Sequence, residues 1–466
     1  MAEIHIDHDQ GGHAHLQTFL NTVRGAGDNV IFIHGGSALA PGILSSIDKG
    51  SHMVSILNDL SPDVMAVSKS DLTHQEDALS LRAFEASFPI INCNIFDPLT
   101  GGGLEGLLPR FITRAGDYNI GFVSVVNPEV IEDYMPQRIT TVDVNRAVVE
   151  NVDQLKTQGA DIIILIADMS IDYFNNHFDN PPVDIVLLSQ SSGKTDLTQQ
   201  GNSLFELTGH KGMASIITLT MSRDENKTGW TSSSKLVQLS DYEPDVAVDH
   251  KINSYLTQVS AILDRVIGVT RIAFDTRRGA IRTGENGFAN LTADAIRSFY
   301  NSDIGLINAG GFRANKIYAS GSNLTSGDIQ KELPFNNRVV NLKVTGQILK
   351  NSIETGLSRI KEQKGCFPHI SGIIVEYNPN NLPGRRIVSI AINGHPLELQ
   401  KSYTLTTIDF LADGGDGYSE LKKAERIINI GDPQLLWEYV RNFIAEKGSI
   451  APEIDGRMKV VQSILP

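Results

Sequence analysis

The chain is predicted to be α/β, with an N-terminal α/β sandwich, a connecting helix and a C-terminal α+β domain. Three observations carry that prediction: short β-branched runs alternate with helix-like stretches through the first half, one long amphipathic stretch follows, and Gly, Asn and Pro turns then punctuate a mixed second half. The first-half runs lie at 30–33, 64–67, 90–93, 120–125, 162–166, 185–188 and 216–221, near-continuous in apolar residues, as central strands buried on both faces are. Residues 240–244 break the rhythm. Residues 245–266 then read as a helix with Ile252, Tyr255, Leu256, Val259, Ile262 and Leu263 on one face. Turn signals at 308–311, 378–384 and 413–417 mark the second domain. The expected boundaries are therefore 1–240, a connector at 241–266, and 267–466. The run N-P-N-N-L-P-G-R-R at 378–386 reads as a solvated hairpin loop.

With 466 residues and 41% apolar content, the chain can build two hydrophobic cores. A net charge of −14 argues against a nucleic-acid partner, which calls for a basic face, but leaves room for small anions held by local arginines. No membrane partner is expected either, because the longest apolar runs, at 162–167 and 216–221, are far too short to span a bilayer. Met1 is followed by A-E-I-H-I-D-H-D, without the basic start, apolar stretch and cleavage site of a secretory signal, so the chain as written reads as cytoplasmic. The two cysteines, Cys93 and Cys366, fall in different halves and are read as free thiols. Oligomeric state is not readable.

The second half carries G-E-N-G-F-A-N-L-T-A-D-A from Gly284, N-A-G-G-F-R from Asn308 to Arg313, L-P-F-N-N from Leu333, and F-L-A-D-G-G-D-G-Y from Phe410. In this order, between 284 and 418, the four motifs resemble the C-terminal domain of the 5'-nucleotidase family. The resemblance implies a nucleotide-binding domain in which Phe335 and Phe410 sandwich a nucleobase and Asp416 accepts hydrogen bonds from ribose hydroxyls. It also implies that Asn308 contacts the base or its surroundings and that Arg282 and Arg313 bind phosphate through charge-assisted forks. His369 and Ser371 receive no chemistry, and Glu285 and Asp294 read as capping or scaffold carboxylates. Many relatives are periplasmic, extracellular or membrane-anchored, so a periplasmic or secreted location follows if a signal has been removed. Relatives also rotate this domain, with the connector as the hinge element.

The same resemblance implies a calcineurin-like metallophosphoesterase sandwich for the first domain, with two divalent ions held at strand ends. The sequence departs from that pattern at nearly every ligand. In I-D-H-D-Q, Asp7 takes the aspartate place and Asp9 that of a histidine, or else His8 and Gln10 do. Ser37 replaces the bridging aspartate, Lys69 a metal-binding asparagine, and Ser70 a histidine that stabilises the transition state. Asp168 stands where a histidine ligand belongs, and Gln190 and Ser192 where a histidine pair belongs. An ammonium group in place of a dication puts the two-metal mechanism in doubt. No cofactor is expected, although Asp7, His8, Asp9, His34, Asp71 and Asp168 leave room for one divalent ion at a remodelled site. His13 and His15 read as surface residues.

Three functions compete. One is a pseudoenzyme that binds a nucleoside or nucleotide through the second domain. Another is a repurposed, metal-independent enzyme on a nucleoside-like substrate, with His8, Lys69, Asp71 and Asp168 as candidate acid/base groups. A third is a phosphohydrolase with a non-standard metal set.

Overall fold

The computed structural model describes residues 11–461 apart from 28, 41, 132–135, 137, 179–180, 191–197, 201–202, 208–211, 225–226 and 428–434. The chain divides into two compact units between Thr257 and Gln258, inside the helix Val246–Leu263. That helix occupies most of the expected connector; at its end Val266 already begins a strand, Val266–Thr270.

In the first unit, a parallel three-stranded sheet pairs Ile33–His34, Val64–Ala66 and Ile90–Ile91 in that order. A six-stranded sheet runs in the order Thr198–Gln200, Ser203–Leu207, Ile185–Gln190, Ile162–Ser170, Tyr118–Val126 and Phe111–Ala115. The strand Ile162–Ser170 explains why its sequence shows no alternation. Ile162, Ile164 and Ile166 join one core with Val64, Ala66 and Ile91, while Ile163, Leu165 and Ala167 join another with Val144, Val148, Val152 and Phe174. The helix Val144–Thr157 that covers the second face starts at Asp143, whose carboxylate accepts the Arg146 N–H. The run at 216–221 lies inside a long hairpin, Met213–Asp224 paired with Lys227–Gln238.

The second unit centres on a mixed five-stranded sheet in the order Pro368–Ser371, Ile304–Asn308, Ser402–Ile408, Val339–Thr345, Glu425–Ile427. The helix Gly287–Tyr300 packs on it, opened by Asn286, whose side chain accepts the Phe288 and Ala289 N–H groups. A side chain at Gly287 would meet the Pro452 carbonyl oxygen at 2.1 Å, so the G-E-N-G motif combines a cap with a close backbone approach. Glu285 is scaffold: it accepts the Asn290 amide and the N–H groups of Asp455, Gly456 and Met458. Asp294 pairs with Arg457 and accepts from Ser371.

Two expectations are corrected. His13 is not a surface residue; it is 1% exposed, because the helix His13–Gly25 turns it inward with Leu16 and Leu20. Nor is the 378–386 run simply solvated. Arg386 is buried, its guanidinium donates to the Asn381 and Leu357 carbonyls, and the main chain at Arg386 and Ile387 donates to the Glu354 carboxylate.

Candidate functional site

In the second unit, five loops at the ends of buried elements converge on a cavity of about 390 Å³. All six residues singled out in this half line it: Arg282, Asn308, Arg313, Phe335, Phe410 and Asp416. Asn308 ends a strand buried along its whole length, and the turn Ala309–Gly311 then leads to Arg313. Arg282 follows the short helix Arg278–Ile281. Phe335 sits in the loop before Val339–Thr345, and Phe410 in the turn of helix Asp409–Ala412.

Gly310 and Gly365 are what let the walls meet. The Gly310 N–H donates to the Gly365 carbonyl at 2.7 Å, and a Cβ at Gly365 would lie 2.9 Å from the Gly310 Cα and 3.0 Å from Asp416 Oδ2. Asp416 itself has a φ of 51°, flanked by Gly414 at 84° and Gly417 at 92°, which aims its carboxylate back to accept the Asn308 amide at 2.7 Å. Because a carboxylate can only accept there, the Asn308 Oδ1 is the free end; it is buried with no partner. Tyr418 anchors the turn from below, fully buried and donating to the Cys366 carbonyl.

The two phenylalanines are not core residues. Phe335 is 41% and Phe410 44% exposed, and the Phe410 ring rests on Gly415, where a Cβ would come within 2.5 Å of it. The Arg313 guanidinium lies 5.0 Å from the Phe335 ring centre. Among the described residues, neither Arg282 nor Arg313 pairs with a carboxylate. Arg282 is 9% exposed and donates to the Gln363 carbonyl at 3.3 Å. Burial and the neighbouring Arg278 and Arg313 charges push its pKa below the usual arginine range, with Asp416 opposing. Buried cationic charge without an internal partner is a setting for an anionic ligand. Asn337 and Gly365 complete the lining and had not been singled out. Asn337 lay within the quoted L-P-F-N-N motif, whereas Gly365 carries no local signal.

In the first unit, Ser37, Ser68, Ser70 and Asp71 form a hydrogen-bonded cluster beside Lys69 and Asp168. Asp71 is 2% exposed; its Oδ1 accepts the Ala38 and Leu39 N–H groups at 2.9 Å each, and its Oδ2 accepts those of Ser37 and Ser68 at 3.0 and 2.9 Å. Burial pushes its pKa up and these amides oppose the shift. The Ser37 and Ser68 hydroxyls are 2.8 Å apart, and Ser68 and Ser70 3.1 Å. Asp168 accepts the Lys69 main-chain N–H at 2.5 Å. His34 is buried, accepts the Gly36 N–H through Nδ1, and is driven down to a pKa of about 3 by burial. Among the described residues, no group of three or more His, Cys, Asp or Glu side chains is placed to hold a metal ion. Asp7, His8, Asp9, Gln10 and Ser192 lie outside the described residues, and only the main chain of Gln190 is described. No described helix is long and apolar enough to cross a membrane.

Comparison with known proteins bears on both units. Residues 266–423 match the family model for the 5'-nucleotidase, C-terminal domain. The human 5'-nucleotidase is 25% identical, covering 96% of this chain and 85% of its own length. Protein 5NUC of Lutzomyia longipalpis is 24% identical, covering 97% and 87%. Among solved structures, the NAD nucleotidase of Haemophilus influenzae superposes with a TM-score of 0.70 at 18% identity, over 97% of this chain and 93% of that one. A putative 5'-nucleotidase from Staphylococcus aureus gives 0.68 at 16% identity, over 97% and 95%. The two-domain architecture of those structures is shared by this chain.

Proposed function

We propose that this chain, which carries a 5'-nucleotidase C-terminal domain over residues 266–423 and is homologous to 5'-nucleotidases over most of its length, binds a nucleoside or nucleotide in its C-terminal pocket and has lost the di-metal phosphohydrolase centre. The observation that carries the binding half is the pairing of two half-exposed aromatic rings with guanidinium groups that have no carboxylate partner. A planar base stacks on such rings because offset contact adds to area burial. An acceptor at Asp416 suits sugar hydroxyls, and Arg282 and Arg313 suit a phosphate. Each of these groups is already oriented, so ordering costs little on binding.

The donor set in the first unit supports the loss of the metals. Two dications need several carboxylate, imidazole or amide oxygen ligands with lone pairs to spare. Here the Asp71 lone pairs are taken by four main-chain N–H groups, Lys69 brings a fixed positive charge, and Ser37 and Ser70 bring neutral hydroxyls. The described residues do not fit a di-metal centre. The same accounting supports a structural role for Asp71, since its carboxylate organises the loop around it.

Calorimetric titration of chelator-treated protein with adenosine and then AMP tests the binding half, and phosphate release from AMP with added Mg, Mn or Zn tests the other. Binding, tighter for AMP, with no metal-dependent release is the expected result. Absence of heat with either ligand removes the pocket assignment, and metal-dependent release removes the pseudoenzyme.

A further inference from the structure

His369 is a buried titratable group with no part in the pocket lining, and its surroundings connect it to both pocket arginines. It lies on the strand Pro368–Ser371, in register opposite Ile307, one position from the Asn308 pair. It is 0% exposed. Its Nε2 lies 2.9 Å from the Ile281 carbonyl oxygen, and since a carbonyl only accepts, Nε2 carries the proton and donates. Ile281 is the residue before Arg282. The ring also stands edge-on to Phe312, centroids 6.0 Å apart, and Phe312 is the residue before Arg313. A second edge contact, at 5.3 Å, is to Phe367. The remaining nitrogen, Nδ1, is buried without a partner.

That arrangement is not what packing alone selects. An imidazole buried with one nitrogen unsatisfied is a net cost in an apolar site, and a phenyl ring of similar shape would avoid it. What the imidazole adds is the bond to Ile281. The segment it holds is a helix of four residues, Arg278–Ile281, too short to be stable by its own hydrogen bonds. Arg282 sits at its end, under repulsion from Arg278 and Arg313. The 3.3 Å bond to the Gln363 carbonyl holds the guanidinium, while the main chain that carries it is held through Ile281.

We propose that His369 is a positioning residue that tethers Arg282 through Ile281 and buttresses Arg313 through Phe312, so that the two guanidiniums converge on the phosphate of a nucleoside monophosphate. The inference rests on the reading of the pocket as a nucleotide site. It assigns His369 no contact with the ligand. Its consequence is selective: the tether governs recognition of the phosphate and leaves the base and sugar contacts of Phe335, Phe410 and Asp416 alone.

The experiment compares Kd values for AMP and adenosine in wild-type protein, His369→Phe and His369→Gln. Phenylalanine keeps the ring shape and deletes the donor; glutamine restores an N–H donor at similar reach. His369→Phe is expected to lose about tenfold in AMP affinity, the scale of weakening one charge-assisted contact, with adenosine within about twofold. His369→Gln is expected to recover most of the loss. An unchanged AMP-to-adenosine ratio in folded His369→Phe overturns the proposal, and so does an equal loss for both ligands, which marks a merely structural role. If the phenylalanine variant does not fold, the imidazole nitrogen resonances of the wild-type protein decide: Nε2 is expected to shift on adding AMP and not adenosine, and no shift with AMP overturns it. Failure of wild-type protein to bind either ligand instead removes the pocket reading itself.

Discussion

Replacing Phe410 by alanine removes one wall of the pocket at little cost to the fold, and that separation makes it the most informative substitution. Full burial of a phenylalanine stabilises by about 1.5–3 kcal/mol. Phe410 is 44% exposed in the free protein, so truncation forfeits about half of that, roughly 1 kcal/mol, chiefly its contact with Gly415. A base stacked on the ring loses more, about 1–3 kcal/mol, or about 5- to 150-fold in Kd. The base is common to adenosine and AMP, so both affinities should fall together and their ratio should hold. Phe335→Ala, exposed to the same extent, should behave alike except that it also frees the Arg313 guanidinium from its ring contact. The assay is isothermal calorimetry with both ligands, beside a melting curve. Affinities within twofold of wild type, in a variant that melts normally, would refute base stacking at this position.

Gly365→Ala probes the close approach behind the pocket: its Cβ would press on the Gly310 main chain and on Asp416, so stability should drop by about 1–3 kcal/mol in denaturant titrations. Adenosine affinity should fall with it, whereas Gly311→Ala, whose Cβ meets nothing nearer than 3.8 Å, should stay within about 0.5 kcal/mol of wild-type stability. The buried histidines set an acid limit. Burial lowers His13 to about 4, His34 to about 3 and His369 to about 4, each folded value below the unfolded one near 6.5. The unfolded chain therefore takes up protons first; stability is complete above pH 6.5 and is lost as pH falls toward the folded values, by about 2 kcal/mol per histidine at pH 5. Calorimetric unfolding at pH 7 and pH 5 measures this, and a first unit as stable at pH 5 as at pH 7 would contradict the burial of His13 and His34.

Much of the second unit was legible because its site is written in short strings at element ends. N-A-G-G-F-R contains a strand terminus, a turn and a guanidinium in six residues, and G-G-D-G contains the positive-φ turn that aims Asp416. Nothing in those strings reveals Gly365, whose role depends on Gly310, 55 positions earlier. The same blindness to distant partners explains Arg386. Its run of Asn, Pro and Gly has loop chemistry, and only the arrival of Glu354 and Leu357 from the helix Gly346–Leu357 buries it. His13 differs: its spacing from Leu16 and Leu20 places it on the apolar face of the helix, a position that its polar residue type does not suggest. Asp71 shows the limit of reading carboxylates as acids. An aspartate in the short turn after the strand Val64–Ala66, preceded by S-K-S, has catalytic composition, yet four main-chain N–H groups converge on it.

Asp71 and Arg282 are both buried ionisable groups, in contrasting settings. A buried ion is tolerated only where its charge is answered. Asp71 is answered internally, by amides that would be orphaned without it, so its charge is accounted for by the fold. Arg282 donates to one carbonyl at 3.3 Å and faces two further guanidiniums, opposed by Asp416, which is itself held by Asn308. The pocket keeps its rings half exposed, Arg282 buried without a carboxylate pair among the described residues and the Asn308 Oδ1 unpartnered, features that lower stability in the free protein. A fold under no demand to bind would relax them by the substitutions most readily available, Arg to a neutral residue or Phe to a polar one. That the rings, the guanidiniums and the Asn308 amide stand together on four separate segments, around 282, 308–313, 335 and 410, is the pattern expected when selection acts on binding in this unit.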